Sequence, residues 1–450
     1  MSIPRYPKYK DSGVEWLGEV PEGWEGTAIK RLCETITDGA HISPETEGGE
    51  FPFISTKDVR DDGIDFENCF LTSPTSYEYM VKTGCRPQPG DVLFSKDGTI
   101  GRTIVVEQGR DFVVASSLII IRPNKHHLDS RFLSHLCQSD LVRSQVEAAV
   151  KGAGLPRLSI TSLLKVIGCF PPIPEQTAIA AFLDRETAKI DGLVAEQRRL
   201  MELLKEKRQA VISHAVTKGL NPDAPMKESG IEWLGDVPAH WEVLQLKRVA
   251  EPGTSITYGI VQAGPDIEDG IPYIRTSDMA GDSLPETGYM RTTPEIDASY
   301  SRSKVRPNDL VVAIRASIGK GLLVPDFLDG ANLTQGTARI CPDKNLMPRF
   351  LLWSFNSDSC QTSIRVVAKG TTFLEITLDA LRRIPLAVPP LPEQSEIVER
   401  LDEDVAKLDT LTAEAHRAIA LLQERRTALI SAAVTGQIDV RQFATNEEGA

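Results

Sequence analysis

PPIPEQTAIAAFLDRETAKIDGLVAEQRRLMELLKEKRQAVISHAVTKGL, residues 171–220, returns at 389–438 as PPLPEQSEIVERLDEDVAKLDTLTAEAHRAIALLQERRTALISAAVTGQI. At a constant offset of 218, 25 of the 50 aligned positions are identical, so the chain is built on a repeat. Neither copy contains a proline after its first turn, and each runs to a glycine, Gly219 or Gly436. Each copy therefore reads as one long helix. Pro174 and Pro392 suit the first turn, where a missing N–H costs nothing. Glu175 and Glu393 put negative charge at the positive end of the helix dipole. Leu183, Ile190, Leu204 and Val211 recur at heptad spacing, with Gln197 between them, and Leu401, Leu408, Ala415, Leu422 and Leu429 hold the same slots in the second copy. Leu193 and Leu200, or Leu411 and Ala418, fill a companion slot three residues on. This is the seam of helices that pack side by side. About 43 residues at ~1.5 Å each give a rod of roughly 65 Å. A lone helix of this kind would read as an ordinary amphipathic core helix; two matched copies read as a paired-rod spacer.

Upstream of each rod the repeat continues. Residues 12–25, SGVEWLGEVPEGWE, match 229–242, SGIEWLGDVPAHWE, at 10 of 14 positions. Their tryptophans, Trp16, Trp24, Trp233 and Trp241, read as anchors that dock an extended lead-in on a folded body; a binding role is the other reading. A body of short β-rich runs follows (51–55, 91–94, 103–106, 112–122), then a helical segment at 130–149. The second body repeats this loosely. FPFISTKDV at 51 faces IPYIRTSDM at 271, and PGDVLFSKDGTIGR at 89 faces PNDLVVAIRASIGK at 307. The expected order is a lead-in at 1–24, a globular head at 25–157 and a helix at 171–219. A linker and second lead-in at 220–241, a second head at 242–375, a helix at 389–437 and a disordered tail at 438–450 complete it. The fold class is α+β. If the rods pack antiparallel, the heads lie at opposite ends, related by a pseudo-twofold axis. Scaffold held and heads diverged suggests two related readers of two different targets.

Composition narrows the function. With 450 residues, 41% hydrophobic and 25% charged, the chain is ordinary for a globular protein. It has no apolar run that would cross a membrane and no signal-peptide pattern at MSIPRYPKYK. Seven scattered cysteines without a CxxC pair suit a reducing cytoplasm and oppose a disulfide framework or a zinc site. The net charge of −13 opposes nucleic acid as a partner unless basic groups cluster or another subunit shares the phosphate contacts. Catalytic signatures are missing. There is no GxxxxGK[ST] loop, no HExxH and no nucleophile elbow. GTIGR and ASIGK fall short of a dinucleotide loop. PPIPEQ and PPLPEQ superficially resemble the Pro-Pro loop of amino-methyltransferases but lack its leading polar residue and its aromatic. What remains is binding.

Basic residues in the heads are the candidates. Arg291, Arg302, Lys304, Arg306, Arg315 and Lys320 lie within 30 residues that hold only Glu295, Asp297 and Asp309 as acids. In the first head Lys96 and Arg102 flank a glycine turn, with Lys57, Arg60, Lys151 and Arg157 elsewhere. Arg275 and Lys369 complete the set for the second. Arginine can fork onto guanine O6 and N7, and lysine can neutralise phosphate; solvated surface charge is the competing reading of each.

With these motifs laid out, the chain resembles the DNA-specificity subunit of Type I restriction–modification systems. The resemblance rests on the paired SG-[VI]-EWLG-[ED]-VP segments, the paired PP-[IL]-PEQ starts, the long helices ending ISxAVT and the P-[GN]-D-[VL]…[TS]-IG turns. It implies two target-recognition domains, each reading one half of a bipartite, asymmetric site in double-stranded DNA. The helices, paired as an antiparallel coiled coil, would set the spacing of the half-sites. It further implies two methyltransferase subunits and restriction–translocation subunits as partners, with S-adenosylmethionine, ATP and Mg²⁺ held by those partners and no cofactor in this chain. The chain itself is then expected to be non-catalytic. A two-headed protein-binding scaffold without DNA contact is the alternative.

Overall fold

Helices form where the repeat places them because proline opens, and glycine closes, an uninterrupted heptad pattern. The computed structural model describes residues 3–47, 49–60, 63–107, 109–150, 156–368 and 374–443; Lys151, Lys369 and 444–450 lie outside the described residues. Of the tail expected disordered at 438–450, residues 438–443 are held instead: Val440 is buried and the Asp439 N–H donates to the Pro4 carbonyl at 2.7 Å. The long helices span Ile173–Lys218 and Leu391–Val434. Each ends at a glycine in the left-handed region, Gly219 at φ 76° and Gly436 at φ 73°, a geometry that costs other residues dearly.

All eight seam residues, Leu183, Ile190, Leu204, Val211, Leu401, Leu408, Leu422 and Leu429, are buried or half-buried. The companion slot differs from expectation. Leu193, Leu200 and Leu411 are 47%, 42% and 47% exposed. The second line of contact lies four residues on, at Thr187, Val194, Met201, Arg208 and Ala215 in the first helix and Val405, Thr412, Ile419, Arg426 and Ala433 in the second. Both steps keep a 3.5-residue average, so periodicity alone does not say on which side of the first line the second one falls.

The chain divides into two compact units, one of residues 1–197 with 416–450, the other of residues 198–415. Each contains one head and a stretch of both long helices. In the first unit the helices run antiparallel, Asp191 meeting Arg426 at 3.0 Å, while Phe182 and Leu183 share a core with Ile430 and Val434. In the second, Arg208 meets Asp409 at 3.1 Å, and Ile212 and Val216 share a core with Leu401 and Val405. The two ion pairs are counterparts at the repeat offset.

Each head is a four-stranded antiparallel sheet beside a three-stranded mixed one. In the first head the sheet order is Thr103–Val105, Val92–Ser95, Leu118–Pro123, Cys33–Asp38, and the smaller sheet orders Val113–Val114, Phe51–Ile54, Phe70–Thr72. The second head has Gly321–Leu323, Leu310–Ala313, Thr337–Ile340, Thr257–Tyr258, and Asn332–Leu333, Ile271–Ile274, Arg291–Thr292. In both, the smaller sheet contains one parallel pair. Glu25–Ala28 pairs with Ile167–Phe170, and Glu242–Gln245 with Pro385–Val388. Chain entry and exit thus lie side by side, and each head runs past its expected end at 157 or 375. The segment expected as one helix at 130–149 is two, Ser130–Gln138 and Asp140–Ala149, because the Ser139 hydroxyl caps the second.

The repeated motifs fasten head to helix. Gln176, of PEQ, accepts from the Asp129 N–H at 2.9 Å and donates to the carbonyls of His127 (2.9 Å) and Pro171 (2.8 Å). Gln394 does the same with Met347, Asn345 and Pro389. Both glutamines are buried, and an unpaired amide there would be costly. The serines of ISxAV accept from the first amide of a head helix: Ser431 from Asp140 at 2.9 Å, Ser213 from Asp358 at 2.8 Å. Of the four lead-in tryptophans, Trp24 and Trp241 are buried anchors, Trp16 is 54% exposed, and Trp233 is 38% exposed but donates its indole N–H to Ser363 Oγ of the head.

Candidate nucleic-acid interface

In the first head four chain segments converge around Ser117. The Lys96 N–H donates to its carbonyl at 3.0 Å, Thr56 Oγ1 donates to the same carbonyl at 3.1 Å, and the Leu158 N–H donates to the Lys96 carbonyl at 2.9 Å. Residues 38–41 come in along Ala115, with Ala40 bridging it in parallel. Gly39 permits that approach, since a Cβ there would sit 2.2 Å from the Ala115 oxygen. The second head repeats the frame. The Ile314 N–H donates to the Gly336 carbonyl at 2.9 Å, the Ile376 N–H to the Ile314 carbonyl at 3.0 Å, and Thr276 Oγ1 to Gly336 at 3.3 Å. Ile260 bridges Thr334, and a Cβ on Gly259 would lie 1.9 Å from the Leu333 oxygen.

Thr56 and Thr276 are kept as part of this common frame, but at five other positions the side chains differ. Where the first head has Asp38, His41, Lys96, Asp97 and Arg157, the second has Tyr258, Val261, Ile314, Arg315 and Glu375. In the first, Lys96 Nζ donates to Asp38 at 2.6 Å, and His41 Nε2 lies 3.2 Å from the other oxygen of Asp38. The exposed Arg157 donates from Nε and Nη2 to the two oxygens of Asp97, both at 2.8 Å. That carboxylate, with Asp38 farther off, holds the guanidinium above its ordinary pKa. In the second head the polarity is reversed: Arg315 Nη2 donates to Glu375 at 2.9 Å, and Arg315 Nε is buried without a partner among the described residues.

The other basic candidates are scattered. Lys57 stands 3.7 Å over the ring of Phe70. Arg60 is paired with Asp65, and Arg102 donates to the Val59 carbonyl at 2.8 Å. Lys96 is 4% exposed and has the structural task of neutralising Asp38. Arg275 forks onto Asp278, which raises its pKa further. Lys304 is paired with Asp297 at 2.6 Å and Lys320 with Asp282 at 3.2 Å. Arg302 is exposed and makes no hydrogen bond or ion pair among the described residues. The structure thus joins Lys96 and Arg157 in one place and leaves the 291–320 run dispersed among acids. Sequence reasoning missed Asp38, His41, Tyr258, Val261 and Glu375. Aligning TDGAH (37–41) with TYGIV (257–261) on their glycines would have found four of them, and the offset of 218 from Arg157 would have found Glu375.

Among the described residues no group of histidine, cysteine, aspartate or glutamate could hold a metal ion, and no helix is long and apolar enough to cross a membrane.

Comparison with known proteins covers both halves. The family described as Type I restriction modification DNA specificity domain matches residues 21–199 and 238–419. The chain is similar to the Type I restriction enzyme EcoBI specificity subunit of Escherichia coli, 28% identical over 83% of this chain and 79% of the relative. It is also similar to the putative type I restriction enzyme MjaX specificity subunit of Methanocaldococcus jannaschii, 24% identical over 94% and 96%. Among solved structures, a chain from a study of complex assembly and conformational transition of the type I R-M system superposes with a TM-score of 0.70. Its identity is 19%, over 93% of this chain and 99% of that one. The HsdS subunit from Thermoanaerobacter tengcongensis gives a TM-score of 0.50 at 18% identity, over 93% and 98%. At these identities the two structures speak for the fold.

Proposed function

The chain belongs to the Type I restriction modification DNA specificity family, and on that premise we propose that it is the DNA-specificity subunit of a Type I restriction–modification complex. Each head reads one half of a bipartite, asymmetric site in double-stranded DNA, and the long helices set the number of base pairs between the halves. The observation that carries this is the pair of frames around Ser117 and Gly336, alike in backbone and different in the five side chains compared above. A scaffold for one kind of partner has no use for that difference. Two unlike half-sites require it. The chain is a reader and spacer without a catalytic step of its own. Two methyltransferase subunits with S-adenosylmethionine act on the base, and restriction–translocation subunits use ATP and Mg²⁺. The net charge of −13 fits a division of labour in which those subunits supply much of the phosphate contact that dominates DNA affinity.

The test is to co-express the chain with its methyltransferase subunits and sequence the modified bases of the host DNA. A two-part motif with a fixed gap is expected. Inserting one heptad into both helices adds about 10 Å, on the order of three base pairs of B-DNA, and should change the gap while leaving both half-sites intact. An unchanged gap refutes the spacer role. Absence of any sequence-specific modification refutes the whole reading.

A further inference from the structure

We infer that the junction of 38–41, 96–97 and 157 in the first head, and its counterpart at 258–261, 314–315 and 375 in the second, is where each head reads base edges, with Arg157 and Arg315 as specificity-determining groups. The inference deepens the DNA-specificity reading and rests on it. Three observations carry it.

First, frame and side chains part company here. At other matched points the halves keep both: the glutamines 176 and 394, the serines 213 and 431, and the ion pairs Asp91–Arg122 and Asp309–Arg339, at 2.7 Å each. At the junction the backbone bonds persist while all five side chains change. Second, the junction is rigid. Glycines 39 and 259 press their loops onto a neighbouring backbone, and the loop tips are pinned beyond. The Ser73 N–H donates to the Glu45 carbonyl at 2.9 Å, and Thr292 Oγ1 to the Ala263 carbonyl at 2.7 Å. A group that must tell bases apart needs a fixed origin.

Third, the chemistry suits a base. Asp97 takes Nε–H and one hydrogen of Nη2, so the other Nη2 hydrogen and both on Nη1 stay available on an exposed side chain. These Nη1 and Nη2 donors have the spacing of guanine O6 and N7 in the major groove. His41 adds a further ring nitrogen from the opposite loop. In the second head Arg315 is held by one bond, Glu375 offers an exposed acceptor of the kind cytosine N4 requires, and Val261 offers an apolar surface of the kind a thymine methyl requires. One junction is therefore a donor-rich reader of guanine. The other mixes donor, acceptor and apolar contact, so the two half-sites differ in composition.

The experiment uses the full chain assembled with its methyltransferase subunits, read by position-resolved sequencing of modified bases. Arg157→Ala is expected to relax discrimination at one guanine of one half-site by roughly ten- to hundred-fold, leaving the other positions and the other half-site unchanged. The reversed pair Asp97→Arg with Arg157→Glu keeps the internal ion pair, as the second head demonstrates, and moves the guanidinium. It is expected to change the preferred base at that same position. Should either variant, shown by its melting curve to be folded, leave every position of the motif as in the parent, the inference is overturned. Equal relaxation of both half-sites overturns it too. If the parent complex itself modifies DNA without sequence preference, the DNA-specificity reading falls and this inference falls with it.

Discussion

Gln176→Met tests how the heads are fastened. Methionine nearly matches glutamine in volume, so the change removes three hydrogen bonds without opening a cavity. The bond to the Pro171 carbonyl is fully buried, and leaving that acceptor dry costs about 1–3 kcal/mol. The other two, to the Asp129 N–H and the His127 carbonyl, are partly exposed. Water can replace them, at about 0.5–1.5 kcal/mol each. The total is about 2–6 kcal/mol, confined to the unit of residues 1–197 and 416–450. Hydrogen exchange read by mass spectrometry gives the local answer. Protection across 127–138 should fall by at least about thirtyfold, while 345–355, fastened by Gln394, stays as in the parent. Gln394→Met should give the mirror result. A change below about 0.5 kcal/mol, or equal loosening of both regions, would refute the assignment of PEQ as a fastener.

Other outcomes follow from the same contacts. Ser431→Ala and Ser213→Ala should each destabilise their unit by about 0.5–2 kcal/mol, the ordinary worth of a lost helix cap, seen as a lower urea midpoint. Gly436→Ala should cost more than Gly219→Ala in thermal unfolding. Both force alanine into the left-handed region at about 1–2 kcal/mol, but the new Cβ meets Pro21 at 2.5 Å in the first case and nothing nearer than 3.3 Å in the second. Burial alone would raise the Asp184 carboxyl, but His135 and Arg131 outweigh it and hold the group below the usual carboxylate range. The unfolded chain then binds that proton first as pH falls. The contribution is present above about pH 4 and is lost below it. Against Asp184→Asn, the parent's advantage in unfolding midpoint should shrink as pH drops from 5 to 2.

What was legible in the sequence was local or periodic. The long helices announce themselves because proline, glycine and heptad spacing all act within one segment. Their companion contact line was misplaced, since Leu193 and Leu411 look like core residues and only the neighbouring helix decides otherwise. The sheets of the heads were legible as scattered β runs but not as an order. Val113–Val114 and Asn332–Leu333 are two residues long, and their parallel pairing with Phe51–Ile54 and Ile271–Ile274 joins segments far apart in the chain. The glutamine of PEQ looked like part of a helix start, because its three partners lie in a loop 47 to 49 residues upstream and at Pro171, just after the preceding strand. Charge counting led to 291–320, where geometry shows acids interleaved in space with the basic groups.

The two heads also show why the junction residues were free to diverge. Asp91–Arg122 and Asp309–Arg339 are pairs of the same polarity in both heads, with both carboxylates buried. Reversing such a pair one residue at a time passes through an unpaired buried charge, at about 3–5 kcal/mol, a large share of what holds a domain together. Asp97–Arg157 and Arg315–Glu375 occupy equivalent positions with opposite polarity, and each has a partner whose side chain is about half exposed to solvent. A pair open to solvent on one side is worth about 0–1 kcal/mol, so its exposed member can change without threatening the fold. Physical chemistry thus separates the positions into those where fold stability leaves no latitude and those where it leaves a great deal. The junction in each head belongs to the second kind, on a backbone that belongs to the first. That combination is what allows one architecture, used twice in a chain, to recognise two different sequences.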